Sequence, residues 1–266
     1  MTEYLRQRTW PRLLPAVVLF AALACGSKPN VLPPGAEPDK FLFDRGSEAL
    51  KAGDWMKARE YFQRIVDNYP QSLFRADAKL AVGDAYLGEG GTANFVLATN
   101  EFREFLQFYP TNPRADYAQY KLAMSHYRQM RAPERDQTET RAALREFDAF
   151  FDRYANSQLA PEVKEKWRET RDRLSESSYR VGLYYYRVKW YPGAIDRFRE
   201  ILKDDPGFSF RDAVYFYLAE SLVKTNKKAE ALPYFERLVK EFEQSEYLDE
   251  AQKRLRELEN EQPSGS

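Results

Sequence analysis

Apolar and polar positions follow a helical beat along this chain, and one version of it returns five times: YFQRIVDNYP (61–70), EFREFLQFYP (101–110), EFDAFFDRYA (146–155), RFREILKDDP (197–206) and YFERLVKEFE (234–243). Each copy has a phenylalanine at the same place (Phe62, Phe102, Phe147, Phe198, Phe235) and an alanine four residues earlier (Ala58, Ala98, Ala143, Ala194, Ala231). That spacing puts both residues on one face of a helix. An earlier helix in each unit adds small and large residues at fixed offsets. Gly46 and Ala49 precede Ala58, Phe62, Ile65 and Pro70, and Gly182 and Tyr185 precede Ala194, Phe198, Ile201 and Pro206. Small residues let helix axes approach closely, the aromatic fills the space between successive hairpins, and proline ends the second helix.

Small residues at the contact, Ala and Phe on the second helix and a closing Pro resemble the tetratricopeptide repeat. Spacings of 40, 45, 51 and 37 residues between copies predict an all-α tetratricopeptide-repeat solenoid of five helical hairpins plus a C-terminal capping helix. Irregularities are placed by sequence. GEGGT (88–92) adds a turn in unit two, a polar loop covers 131–137 in unit three, and Ala155 and Glu243 replace the closing proline, which predicts looser turns in units three and five. Residues 161–188 hold no breaker and predict one helix of about 28 residues, roughly 42 Å long. Residues 247–260 carry Leu248, Ala251, Leu255 and Leu258 on one face and predict the cap. The chain therefore divides into N-terminal repeats one to three (39–160), then the connecting helix with repeats four and five and the cap (161–260), then a frayed tail (261–266).

Ahead of the repeats, Arg6, Arg8 and Arg12 precede an apolar run from Leu13 to Leu23 and small residues at Ala24 and Cys25. A run of about 11 residues is too short for a bilayer core that needs roughly 20, so 1–24 read as a signal peptide. Ala22-Leu23-Ala24-Cys25-Gly26 resembles the bacterial lipobox, with Ala22 where leucine is usual, which implies cleavage before a diacylated Cys25. Two acyl chains anchor stably where one does not. Gly26 and Ser27 are not the aspartate that marks inner-membrane retention in such lipoproteins, which implies the periplasmic face of the outer membrane. Residues 25–38, with four prolines, read as a tether reaching roughly 40 Å.

Charge and chemistry narrow the classes. Without 1–24 the chain has 38 basic and 40 acidic residues and no basic run, so no nucleic-acid partner is expected. Cysteine occurs once, at Cys25, and histidine once, at His126, which leaves no set for a structural metal site, a disulfide or a His-dependent triad. Glu162, Glu165 and Glu169 sit at helical spacing among lysines and arginines, a solvated face and not an acid–base pair. No cofactor, metal or catalytic residue is expected, and the protein reads as a binder and not an enzyme.

Lipobox, tether and repeats, with NPRADYAQYKLAM (112–124) and RDQTETRAALREFDAFFDRYANSQ (135–158), resemble the BamD family, outer-membrane lipoproteins of the β-barrel assembly machinery. The most specific parts are Asp116-Tyr117 with Tyr120, the pair Arg135-Asp136 ahead of Arg141, Ala142, Ala143 and Phe147, and Tyr184-Tyr185-Tyr186. Gln137 stands where the family often has proline after the Arg-Asp pair. The resemblance implies a scaffold with three kinds of partner besides the membrane that holds its lipid anchor. These are unfolded outer-membrane β-barrel proteins, read through an aromatic C-terminal signal by the first repeats, a POTRA-containing barrel subunit docked on the later repeats, and other lipoproteins of the complex.

Aligning the first helices on Gly46, Gly83, Met124, Gly182 and Ala219 places Phe43, Leu50, Leu80, Asp84 and Leu87 on the inner surface of units one and two, followed by Lys121 and Arg128 in unit three. An apolar strip beside two cations suits a peptide ending in an aromatic residue and a free carboxylate. For the barrel subunit the candidates are Tyr179, Leu183, Tyr186, Arg187 and Arg197, since arginine forks and tyrosine rings favour protein contacts. Arg197 could equally pair with Asp196 or Glu200 on its own helix. Two rival functions remain at this point. One is a pilotin or cell-wall synthesis coordinator, which would favour regular 34-residue units. The other is a helical-repeat glycosidase, for which no length is left over for a catalytic module.

Overall fold

The computed structural model describes residues 35–261. The expected signal peptide, Cys25 and the tether as far as residue 34 lie outside the described residues, as does the tail from 262. Eleven helices and no strand occur among the described residues, all within one compact unit, Glu37–Ser266. The expectation of an all-α tetratricopeptide solenoid is met.

Five hairpins follow one another. They are α1 (Pro38–Lys51) with α2 (Trp55–Asn68), α3 (Arg75–Glu89) with α4 (Thr92–Phe108), α5 (Ala115–Tyr127) with α6 (Thr138–Tyr154), α7 (Ala160–Arg187) with α8 (Tyr191–Asp204), and α9 (Arg211–Lys224) with α10 (Lys228–Glu241). A final helix, α11 (Leu248–Glu261), packs on α10. Each helix packs on the next. The first helices also touch one another along α1, α3 and α5, and again between α7 and α9.

All five marker phenylalanines and their alanines are buried. In three units the phenylalanine ring lies against a bare glycine. A Cβ on Gly46, Gly83 or Gly182 would meet the ring of Phe62, Phe102 or Phe198 at 2.8, 2.7 or 2.6 Å. Glycine there sets the approach of the two helices. In unit three the contact residue is Ala123, fully buried in the cluster of Phe147, and not Met124, which faces out by one position.

The turns between units repeat as closely as the helices. The N–H groups of Ser72, Asn112, Ser157, Phe208 and Ser245 donate to the carbonyls of Tyr69, Tyr109, Tyr154, Asp205 and Phe242. Ser72, Asn112, Ser157 and Ser245 then accept, through their side chains, from the N–H two residues on. The same hydroxyls reach back to the first helix of their own unit. Ser157 donates to Asp116 at 2.5 Å, Ser245 donates to Asp212 at 2.6 Å, and Asp39 is bonded to Ser72. In unit two the clasp is Arg114 on Asp77 at 2.8 Å. This bonding, and not proline, closes the hairpins. Phe242, with no proline after it, has φ −134° and ψ 69°, the conformation of the proline-followed Tyr69 (φ −125°, ψ 66°), so the looser turn expected in unit five is absent. In unit three Ala155 does stay helical, with φ −53° and ψ −28°, and makes no capping bond.

Unit four inverts the clasp. Its aromatic at the turn is Phe208, buried, and the position held by Tyr69, Tyr109, Tyr154 and Phe242 elsewhere is Asp205, 4% exposed. Arg168 of α7 donates to both Asp205 oxygens (2.9 and 2.5 Å), Ser175 donates at 2.6 Å, and Asp172 accepts from the N–H and hydroxyl of Ser209. Burial works against the Asp205 charge, and the bonds from Arg168 and Ser175 outweigh it, holding its carboxyl below the usual range.

Helix α7 spans 28 residues and serves two units. Its first half closes unit three, where Val163 is buried with Phe147 and Phe150, Trp167 donates to Asp148 at 2.7 Å, and Tyr120 donates to Glu162 at 2.6 Å. Its second half is the first helix of unit four. In the polar loop, Gln137 is buried. It donates to the carbonyls of Ala132 and Arg135 and accepts from Thr140, so the loop is stitched from within.

Candidate functional site

A groove of about 400 Å³ opens where α1, α3 and α5 lie side by side. Leu50 comes from α1, Trp55 from the start of α2, and Asp84, Leu87 and Gly88 from α3. Tyr117, Tyr120, Lys121 and Met124 come from α5, with Arg128 at its end. Five of the seven residues expected to touch a peptide meet here: Leu50, Asp84, Leu87, Lys121 and Arg128. Leu80 does not. It is 1% exposed in the core with Phe95, Phe102 and Phe105, and Phe43 packs between Phe62 (5.6 Å) and Phe74 (5.0 Å). The reason is angular. Three residues before the contact glycine is still the packing face of a helix, whereas one and four residues after it faces the groove.

Trp55, Tyr117 and Tyr120 were missed as groove residues. The feature that goes with Trp55 is Gly88, the penultimate residue of α3. A Cβ there would meet the Trp55 ring at 2.7 Å, so the bare backbone seats the indole as a groove wall.

The groove's charges are only partly matched. The Tyr117 hydroxyl donates to Asp84, 2.9 Å from each oxygen. Burial raises the Asp84 carboxyl above its usual range, against the pull of Lys121 and Tyr117. Burial and the neighbouring Asp84 charge push the Tyr117 phenol up, so it remains a neutral donor. The Lys121 ammonium lies 5.2 Å from the Tyr117 ring centre and 5.9 Å from that of Tyr120, and Arg128 lies 6.0 Å from that of Phe95. These are cation–π distances. No carboxylate among the described residues lies within ion-pair distance of Lys121 or Arg128. His126 is not part of the groove; its Nδ1 lies 2.7 Å from Glu139.

The equivalent face of units four and five is closed. Tyr179 packs near Phe198 (6.0 Å) and Phe208 (6.3 Å), and Leu183 packs on the same core. Tyr186 lies 5.1 Å from Tyr217, and Tyr247 stacks on Phe216 at 4.8 Å beside Tyr217 at 5.6 Å. Arg254 of α11 holds Glu220 with two bonds, 2.6 and 2.8 Å. Burial, then the Glu220 charge, pushes the Tyr186 phenol up to about 12. Three of the five residues expected to meet a barrel subunit, Tyr179, Leu183 and Tyr186, thus spend much of their surface inside. Arg197 pairs with Glu200 at 2.7 Å, and Arg187 is exposed.

Half a turn round α7 lies an exposed apolar face. Val181, Tyr184 and Val188 are 38%, 61% and 52% exposed, and Trp190 beyond the helix end is 53% exposed. Trp190 is nonetheless fixed. Its ring lies 4.5 Å from that of Tyr185 and occupies the place a Cβ on Gly193 would take.

Stacked hairpins with a groove on their first helices define a helical-repeat scaffold, and a tetratricopeptide repeat model matches 213–245, the α9–α10 hairpin. The chain belongs to the YfiO family of outer membrane lipoproteins, whose model matches residues 35–216. It is similar to the outer membrane protein assembly factor BamD of Caulobacter vibrioides, 27% identical over 226 residues, covering 83% of this chain and 73% of that one. The BamD of Vibrio cholerae is 27% identical over 212 residues, covering 76% of this chain and 85% of that one.

Proposed function

We propose that this protein is a lipid-anchored periplasmic scaffold for outer-membrane β-barrel assembly, acting by binding and not by catalysis. Its relatives carry the name of assembly factors for outer membrane proteins, and its family is one of outer membrane lipoproteins. Cys25 carries the anchor in this reading, and 1–24 the signal. Units one to three take an unfolded barrel chain by its aromatic C-terminal end. Units four and five dock a POTRA domain of the barrel subunit, with Arg187, Arg197 and the exposed Val181, Tyr184, Val188 and Trp190 within reach.

One observation carries the substrate half: aromatic walls from Trp55, Tyr117 and Tyr120 line a groove with cations that no carboxylate among the described residues pairs directly. Aromatic side chain and terminal carboxylate find matching partners in one groove. The test is crosslinking of the mature chain to a peptide copying the C-terminus of an outer-membrane barrel protein. Leu50→Glu with Lys121→Glu is expected to abolish the crosslink; an undiminished crosslink refutes the site. For the docking half, the lipidated chain purified from native membranes is expected to bring a POTRA-containing barrel protein with it, and its absence refutes that half.

A further inference from the structure

Asp84 is poorly explained by the scaffold. A carboxylate offers about four acceptor sites, and among the described residues Asp84 receives one proton, that of Tyr117. Lys121 offers three donors, and among the described residues nothing accepts a hydrogen bond from it. The two charges act on each other, yet no ion pair closes between them, although both line the same groove. An acceptor with spare capacity and an ammonium without a bonded oxygen thus face one space, set apart by more than an ion-pair distance.

One small ligand fragment satisfies both at once: the end of a peptide main chain, which carries a donor N–H and a carboxylate on a single residue. We infer that Asp84 accepts the last main-chain N–H of a bound peptide while Lys121 holds its terminal carboxylate, so that Asp84 makes the groove selective for chain ends. This rests on the groove reading proposed above and deepens it, moving Asp84 from the wall to the recognition step. A side-chain carboxylate within a longer chain meets Lys121 but cannot bring an N–H to Asp84 in the same geometry. The aromatic side chain of the last residue then lies against Trp55, which Gly88 seats. Arg128, at the end of α5, is left for a carboxylate or carbonyl further along the peptide.

The test uses the mature full chain and a fluorescent peptide of about ten residues ending in phenylalanine, in three forms: free acid, C-terminal amide, and free acid with its last peptide nitrogen methylated. A charge-assisted bond is worth about 1.5–3 kcal/mol, about ten- to a hundredfold in affinity. Amidation and methylation are each expected to weaken binding to the wild type by about that factor. Asp84→Ala is expected to bind the free acid as weakly as the wild type binds the methylated form, and to ignore methylation. Tyr117→Phe, which removes the one hydroxyl donating to Asp84 among the described residues, is expected to keep the methylation effect in full, and thermal melts of both variants report whether they fold. If methylation leaves wild-type affinity unchanged, or if Asp84→Ala still responds to it, the inference is overturned and Asp84 serves only to orient Tyr117. In either case, if the wild type binds the free acid and Lys121→Glu does not, the groove reading stands. If the wild type binds none of the three forms, both fail together.

Discussion

The same face of the same repeat is open in one half of this molecule and shut in the other. On α3 and α5 it presents Asp84, Leu87 and Lys121 to a groove of about 400 Å³. On α7 and α9 the corresponding places hold Leu183, Tyr186 and Tyr217, and the rings lean on one another while α11 covers the end through Tyr247 and Arg254. Fold alone therefore does not make a binding groove. It is made where the residues just past the contact glycine are polar or slim, and unmade where they are tyrosines that satisfy each other.

The largest expected break in this comparison lies at the inverted clasp. Asp205→Ala leaves Arg168 with Asp172 alone and strips Ser175 of its acceptor, and is expected to cost about 3 kcal/mol at neutral pH in urea unfolding. Because the folded Asp205 carboxyl is held below its unfolded value, its contribution is present above about pH 3.9 and lost as pH falls through the folded value. The gap between wild type and variant is thus expected to narrow in acid. Next in size, Arg254→Ala strands Glu220, 5% exposed, and is expected to cost about 1.5–3 kcal/mol. Hydrogen exchange should rise along α11 and peptide binding in the first three units should not change. If binding does change, the two halves are not independent. A smaller effect is expected from Gly88→Ala. Alanine gains up to about 1 kcal/mol of helix propensity while displacing the Trp55 ring, so stability should barely move while peptide affinity falls. Fluorine NMR of fluorotryptophan-labelled chain reports the ring's movement. Smallest in stability is Tyr184→Glu with Val188→Glu, each within about 0.5 kcal/mol because both residues are exposed. Loss of the barrel subunit from native-membrane preparations would assign docking to the outer face of α7, and full retention would return it to Arg187 and Arg197.

Much of the fold was legible because repetition averages out local ambiguity. Five copies of one Ala–Phe pair fix the second helices, and the long breaker-free stretch gave α7 its length within a residue at each end. The turn chemistry is also written in the sequence, as Ser72, Asn112, Ser157 and Ser245 each ten residues after a marker phenylalanine, a more regular signal than the closing prolines. The groove was half legible. Leu50, Asp84 and Leu87 follow from their offset to glycines, whereas Leu80 and Phe43, three residues before a contact glycine, stay on the packing face. What no spacing rule reveals is whether neighbouring side chains close a face. Tyr179, Leu183 and Tyr186 look available one helix at a time and are occupied only once Tyr217 and Tyr247 arrive from other units.

Because α7 ends one unit and begins the next without interruption, it fixes their relative phase by counting residues. Inserting a single residue near its middle would turn everything after it by about 100°. Val163 and Gly182 could then no longer both find their partners. The distance along that one rod is therefore as much a part of the protein's specification as any side chain on it, and a change in its length would uncouple the groove from units four and five without altering a single groove residue.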